Sequence, residues 1–292
     1  MLAARGAGKA GAGVRATMLT RAVKNVWALD FDGVLCDSCG ESSLSAWKAA
    51  EALWPEVFLT EDAQANKDRV IEDMRVVRPV VETGYENIVQ VRLLLEGMSA
   101  QEMLENWGTM LPEAMEKFGQ ERATLVELFG STRDKWIESD LQGWLAPNRF
   151  YPGVVEPVKA ALASAEDEVY IVTTKQARFT LQLLREMAGV QLEDERVFSM
   201  TVSGRPKGEV LAMLGERHPG AALHFVEDKL STLEKVCKEV EAGGSPLEPW
   251  KLYLVDWGYN TPQERARAAA NPRIATITAP EFGSLMTTSG EA

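Results

Sequence analysis

Four short apolar runs recur along the chain, and each breaks off at small or polar residues: Val26-Trp27-Ala28-Leu29 into Asp30, Val169-Tyr170-Ile171-Val172 into Thr173, Leu223-His224-Phe225-Val226 into Glu227, and Leu252-Tyr253-Leu254-Val255 into Asp256. Runs of this length, rich in β-branched and aromatic residues, read as buried strands. Stretches with helical spacing lie around them, at 154–165, 176–187, 207–214 and 230–239. A weaker strand is expected at 196–202 and a final edge strand at 273–278. Strands alternating with helices predict an α/β fold with a doubly wound, mainly parallel sheet. Ligands of such sheets bind beyond the carboxyl ends of the strands. That rule gathers Asp30, Asp32, Thr173, Glu227, Asp228 and the Trp257-Gly258 pair into one crevice.

The intervening stretch has another texture. Helical apolar spacing recurs in it, as at Ile88, Val91, Leu94 and Leu95, punctuated by Pro55, Pro79 and Pro112. The expected division is a sheet-bearing core of 25–37 and 150–292, interrupted by a helical insertion at 38–149. Within the insertion, Arg75, Arg78, Glu82 and Tyr85 are spaced to reach the crevice from adjoining helical faces, or to form a solvated face with surface ion pairs. Pro79 argues against one continuous helix there.

The net charge is −12, yet five of the 31 basic residues and none of the 43 acidic ones fall within residues 1–24. The rest of the chain is therefore strongly acidic and repels nucleic-acid phosphates and anionic membranes. A small phosphorylated metabolite needs only local positive charge and remains a candidate partner. No apolar run approaches the roughly 18 to 20 residues of a membrane span. The Ala- and Gly-rich, acid-free residues 1–24 read as a transit peptide to a chloroplast or other organelle, as a disordered extension, or as an upstream start with Met18 the real one. Three cysteines make no disulfide framework, and Cys36 and Cys39 form a lone CxxC pair without the second pair of a structural zinc site.

Two carboxylates at spacing two beyond a strand can divide the work of a phosphoryl transfer. One attacks phosphorus and becomes an aspartyl-phosphate; the other protonates the leaving oxygen and then activates water. Asp228 with Asp30 can hold a hard cation such as Mg2+, which takes carboxylates and waters. Thr173 can hold the transferring oxygens, Lys207 can neutralise charge on nucleophile and phosphate, and Lys175 is placed to meet a substrate anion. A lone DxD pair is usually a solvated turn, so the ordered series at successive strand ends carries the weight.

These motifs resemble the haloacid-dehalogenase-like hydrolase superfamily. Leu29-Asp30-Phe31-Asp32-Gly33-Val34-Leu35 resembles the first motif, Val172-Thr173-Thr174-Lys175 the second, Lys207 in Gly204-Arg205-Pro206-Lys207-Gly208 the third, and Val226-Glu227-Asp228 the fourth. Tyr151-Pro152-Gly153 is similar to the segment re-entering the core after a cap, and Trp257-Gly258-Tyr259 to a tripeptide of phosphoglycolate-phosphatase-like members. The whole chain resembles a plant and algal group of such hydrolases. The resemblance implies that Asp30 is the nucleophile, Asp32 the general acid/base and Lys207 the third catalytic residue. It implies substrate contacts from Thr173, Thr174, Lys175 and Arg78, a metal set of Asp30, Asp32, Asp228 and Glu227 for Mg2+, and a helical cap at 38–149. Asp32 favours phosphate esters, since a dehalogenase needs no proton donor at that position. A phosphomutase and a non-catalytic ligand- or partner-binding member are the alternatives. The fourth motif departs from the pattern: Glu227 replaces the usual Gly, and Lys229-Leu230-Ser231-Thr232 contains no second acid.

Overall fold

The computed structural model describes residues 22–288. Strand β1 (Asn25–Leu29) leads into the short β2 (Cys36–Asp37). Seven helices follow: α1 (Cys39–Leu53), α2 (Pro55–Phe58), α3 (Glu61–Val77), α4 (Glu86–Leu95), α5 (Ala100–Lys117), α6 (Arg122–Ser139) and α7 (Leu141–Leu145). The chain returns through β3 (Arg149–Phe150), α8 (Val155–Ala163), β4 (Asp167–Thr173), α9 (Ala177–Leu183), β5 (Val197–Ser199) and α10 (Met200–Ser203). It ends with α11 (Lys207–Arg217), β6 (Ala222–Glu227), α12 (Leu230–Glu241), β7 (Trp250–Val255), α13 (Pro262–Ala269), β8 (Ile274–Ile277) and α14 (Ala279–Thr288). The expected presequence at 1–24 lies almost wholly outside the described residues.

The main sheet has the order β5-β4-β1-β6-β7-β8, every pair parallel. Strand β1 sits at its centre, buried on both faces. Trp27 and Leu29 enter one apolar cluster with Ile171, Phe179 and Phe282, while Val26 and Ala28 enter the other with Val172, Phe225 and Leu233. Continuous apolar runs, rather than alternating ones, are what a strand covered on both sides requires.

The helices from α1 to α6 enclose an apolar cluster of their own, built on Trp47, Phe58, Met74, Ile88, Leu94 and Phe129. Both ends of this insertion are joined by an antiparallel pairing, Cys36 with Phe150 and Asp37 with Arg149. A two-residue pairing has no alternation to read, so the sequence carried no sign of it. Helix α3 stops at Val77, and residues Arg78–Val80 form a 3-10 turn. Pro79 lacks the N–H that would continue the α-helical ladder, which brings the break, while Arg78 before it keeps helical angles.

The weak strand expected at 196–202 is only Val197–Ser199. Its neighbour β4 pairs with it only as far as Thr173 opposite Ser199, so residues beyond have no ladder to join and coil into α10.

One buried group sets an acid limit. His224 stacks on Trp27 at 4.0 Å between ring centroids, and its Nδ1 lies 3.2 Å from the Tyr253 hydroxyl. Burial first, then Lys251, pushes its pKa down to about 4 from the ordinary 6.5, against the pull of Asp167. Below 6.5 the unfolded chain takes a proton that the folded chain refuses until about pH 4. Stability therefore falls as pH drops through that window, by about 3 kcal/mol from this group. Urea unfolding of wild type and His224→Phe from pH 7 to 4 is expected to show the difference between them shrinking on acidification. A difference constant with pH would contradict it.

Candidate active site

The ends of β1, β4 and β6 bring the charged groups together. The Asp30 N–H still donates to the Val226 carbonyl at 2.9 Å, so Asp30 is rigidly attached to the central strands. Its Oδ1 accepts from the Phe31 N–H at 2.7 Å, and its Oδ2 lies 2.8 Å from Lys207 Nζ. Lys207 opens α11 and reaches Glu227 Oε2 at 2.7 Å as well. The other Glu227 oxygen accepts the N–H groups of Asp228 and Lys229, each at 3.0 Å. Glu227 thus uses both oxygens within the protein and tethers the lysine that faces Asp30.

Asp30, Glu227 and Asp228 offer carboxylate oxygens all within 4.8 Å of one another. Burial pushes Asp30 up to about 7 although Lys207 opposes it, and pushes Asp228 up to about 6 with Asp30 adding to the rise. Crowded, buried acids of this kind are poised for a cation to relieve their repulsion. Two glycines clear the space around them. A Cβ on Gly33, where φ is +83°, would fall 2.0 Å from Asp228 Oδ2, and one on Gly258 would fall 2.5 Å from the Asp228 Cβ. The Asp228 carboxylate is aimed by the Tyr259 N–H at 2.9 Å. An all-oxygen, partly unneutralised set suits a hard divalent cation such as Mg2+.

Asp32 stands apart from that trio. Ser38 Oγ donates to its Oδ1 at 2.6 Å, and Lys175 Nζ lies 3.2 Å from the same oxygen. Burial alone would raise this carboxyl, but Lys175, Arg78 and Ser38 together hold it below the usual carboxylate value. Thr173 is fully buried at the end of β4, its hydroxyl accepting the Lys175 N–H at 3.2 Å. Thr174 lines the cavity in front of the acids.

The insertion supplies the opposite wall. Arg78, Val81 and Glu82 border a cavity of about 180 Å³ over Asp30 and Asp228. A smaller one of about 40 Å³, in front of Asp32 and Lys175, is bordered by Arg78, Glu82, Tyr85 and Phe129. Arg75 is turned away; it pairs with Asp37 at 3.5 Å and with Glu72 at 3.6 Å. The loop at 81–85 is anchored by the buried Glu86, which accepts the Thr83 N–H at 2.6 Å and Trp107 Nε1–H at 2.8 Å.

Several groups escaped the sequence reading. Glu41, fully buried in α1, forms a two-pronged pair with Arg133 at 2.7 Å on each arm, accepts from Trp144 Nε1–H at 3.0 Å, and lies 3.7 Å from Lys175. The Tyr259 hydroxyl accepts the N–H groups of Ser38 and Cys39 and donates to Asp37 at 2.7 Å. Nothing in the local pattern around Glu41 or Arg133 distinguishes them from other charged helix residues. Tyr259 was visible in the Trp257-Gly258-Tyr259 tripeptide, but not its function as a tie. Cys36 and Cys39 are free, buried thiols, both pushed up by burial and so kept protonated.

No protein-family model matches the sequence, and no curated protein matches it. Solved structures do. A predicted phosphatase from Clostridium acetobutylicum superimposes with a TM-score of 0.53 at 14% identity, covering 91% of this chain and 99% of that one. A predicted phosphoglycolate phosphatase from Haemophilus somnus gives 0.52 at 16% identity, covering 93% and 99%. The chain shares their fold. At such identities the likeness concerns architecture, and it agrees with the doubly wound parallel core expected from the sequence. Among the described residues no helix is long and apolar enough to cross a membrane.

Proposed function

We propose that this chain is a Mg2+-dependent hydrolase of a small phosphate ester, working through an aspartyl-phosphate on Asp30. One observation carries the reading: Asp30 and Asp32 leave the same strand end into different surroundings, one facing Lys207 and a buried acid pair, the other facing Lys175. Burial raises Asp30 towards its neutral form, so this nucleophile depends on Lys207 and on a bound cation to stay ionised, while Asp32 already carries the charge that a water-activating base needs. The two similar folds, both described as phosphatases, support it.

In this reading Asp30 attacks phosphorus, and Lys207, held by Glu227, balances charge on the nucleophile and the transferring oxygens. Thr173, Thr174 and nearby backbone N–H groups orient those oxygens. Mg2+, when bound, would be held by Asp30 and Asp228 and would neutralise phosphoryl charge; of the other two candidates, Glu227 has both oxygens engaged within the protein and Asp32 faces Lys175. Lys175 and Ser38 hold Asp32 ionised, the form that activates water against the aspartyl-phosphate. An anionic substrate drawing Lys175 and Arg78 to itself raises Asp32 towards its acid form, which the departing oxygen requires. The helical insertion at 38–149 acts as the cap that excludes bulk water. The plant and algal affinity and the organellar destination rest on the resemblance and the acid-free N-terminal composition.

The test is phosphate release from a broad panel of small monoesters, with Mg2+ and with a chelator. Turnover that needs the cation is expected. No release from any ester would favour a non-catalytic ligand-binding protein instead.

A further inference from the structure

The larger cavity has one wall with two cations, Arg78 and Lys229, on which Asp32 and Asp228 act without closing a direct ion pair. Arg78 is 8% exposed, and its Nε has no acceptor. Its one hydrogen bond is a long donation from Nη1 to the Val81 carbonyl at 3.5 Å. Its guanidinium lies over the Tyr259 ring, 4.0 Å from the centroid. Stacking fixes the plane of an arginine while leaving its in-plane donors available for a planar or tetrahedral anion. Lys229 borders the same cavity and donates to the Pro79 carbonyl. Lys207 and Lys175 are neutralised by Asp30 and Asp32, whereas neither Arg78 nor Lys229 forms an ion pair among the described residues.

The third element is the start of α12. Its cap position, Lys229, makes no side-chain capping bond, and its first turn holds no acid. Ser231 and Thr232 of that turn border the cavity. The first turn of a helix carries the positive end of its dipole; here the Lys229 N–H is taken by Glu227 and the Thr232 N–H donates to the Lys229 carbonyl at 3.1 Å, so the Leu230 and Ser231 N–H groups are the donors left to a ligand. Beyond Asp30, Asp32, Glu227 and Asp228, two further acids border the cavity. Glu82 lies on the loop at 81–85, and Glu239 sits near Gly208, where an added Cβ would be 3.4 Å from its Oε1.

We propose that this wall is a second anion subsite, and that the substrate's leaving group carries an anionic group of its own, held by Arg78, Lys229 and the first turn of α12. The proposal rests on the phosphate-ester reading above. It gives a reason for the departure in the fourth motif: an acid in the first turn of α12 would repel the ligand that Arg78 and Lys229 attract.

Calorimetric binding of three phosphonates to the Mg2+-loaded protein tests this without turnover, because a C–P bond is not hydrolysed as an ester. The ligands are propylphosphonate, 3-phosphonopropionate and propane-1,3-diyl bisphosphonate. At least one doubly functional ligand is expected to bind about tenfold more tightly than propylphosphonate, as one charge-assisted contact allows, and which one does so identifies carboxylate or phosphate as the second group. That advantage is expected to vanish in Arg78→Met and in Lys229→Met. It is also expected to vanish in Ser231→Asp, which returns an acid to the α12 turn at a position where acids favour helices. Equal affinity of all three ligands for the wild type overturns the proposal. So does an Arg78→Met variant that weakens propylphosphonate as much as the others, since Arg78 would then serve the phosphoryl group itself. Binding of none of the three would instead remove the phosphoryl site on which the proposal rests.

Discussion

Asp30→Asn is expected to lower kcat for phosphate-ester hydrolysis by about 10⁴-fold or more, the scale seen when a covalent nucleophile is removed. The amide cannot form the acyl phosphate, yet it retains an oxygen for the Phe31 N–H, which now donates to Asp30 at 2.7 Å. The variant should fold, because the substitution also removes one of two raised, mutually repelling acids, Asp30 and Asp228. A melting temperature equal to or above the wild type's would accompany the lost turnover. Asp32→Asn offers the contrast. It removes a proton donor and water-activating base rather than the attacking group, so formation of the aspartyl-phosphate should slow by about 10²- to 10⁴-fold with alkyl phosphates and far less with p-nitrophenyl phosphate, whose leaving group needs no proton, while phosphate release slows with both. A stopped-flow burst of p-nitrophenolate that is retained while phosphate release is lost reads the difference. Full activity in Asp30→Asn, or a p-nitrophenolate burst slowed as much as phosphate release in Asp32→Asn, would overturn the assigned roles.

The second large effect comes from a methyl group. Gly33→Ala places a Cβ 2.0 Å from Asp228 Oδ2 on a residue whose φ is +83°. Backbone strain in this region costs about 1 to 2 kcal/mol for a residue with a side chain. The clash does more, because Asp228 is the acid aimed by the Tyr259 N–H into the carboxylate trio. Displacing a metal-ligating carboxylate or its support typically costs about 10- to 100-fold in affinity, so Mg2+ binding and turnover should fall together. Gly153→Ala is the control, since φ there is +80° with no atom within 4 Å of the added Cβ. Both variants should carry the backbone strain, with Gly33→Ala losing more stability through its clash, and only Gly33→Ala should lose Mg2+ affinity by calorimetry. Matching affinities would separate Gly33 from the cation site.

The same contrast between local and distant information runs through the molecule. Short apolar runs state their own burial, and Asp30, Asp32, Thr173 and Asp228 follow directly from standing where such runs stop. The broad placement of strands and helices was legible because periodicity and punctuation are properties of a few neighbouring residues. The partners of those residues were not. Lys175 reads as a cation waiting for substrate, yet it lies on Asp32, 143 positions away, and near the buried Glu41. Glu227 reads as a stand-in metal ligand, yet both its oxygens are taken, one by Lys207.

What the sequence by itself determined, then, is the doubly wound core and the list of chemical groups at its strand ends, because each depends on local spacing and side-chain type. Only the tertiary structure decided which acid faces which cation. Glu41 meets Arg133 across 92 positions, and Tyr259 meets Ser38 across 221. Such pairs leave no local pattern, because their energy is realised only when packing excludes water and brings the partners within hydrogen-bonding distance. Folding therefore turns a plausible pair of carboxylates into an unequal one, with Asp30 raised among buried acids and Asp32 held ionised by Lys175.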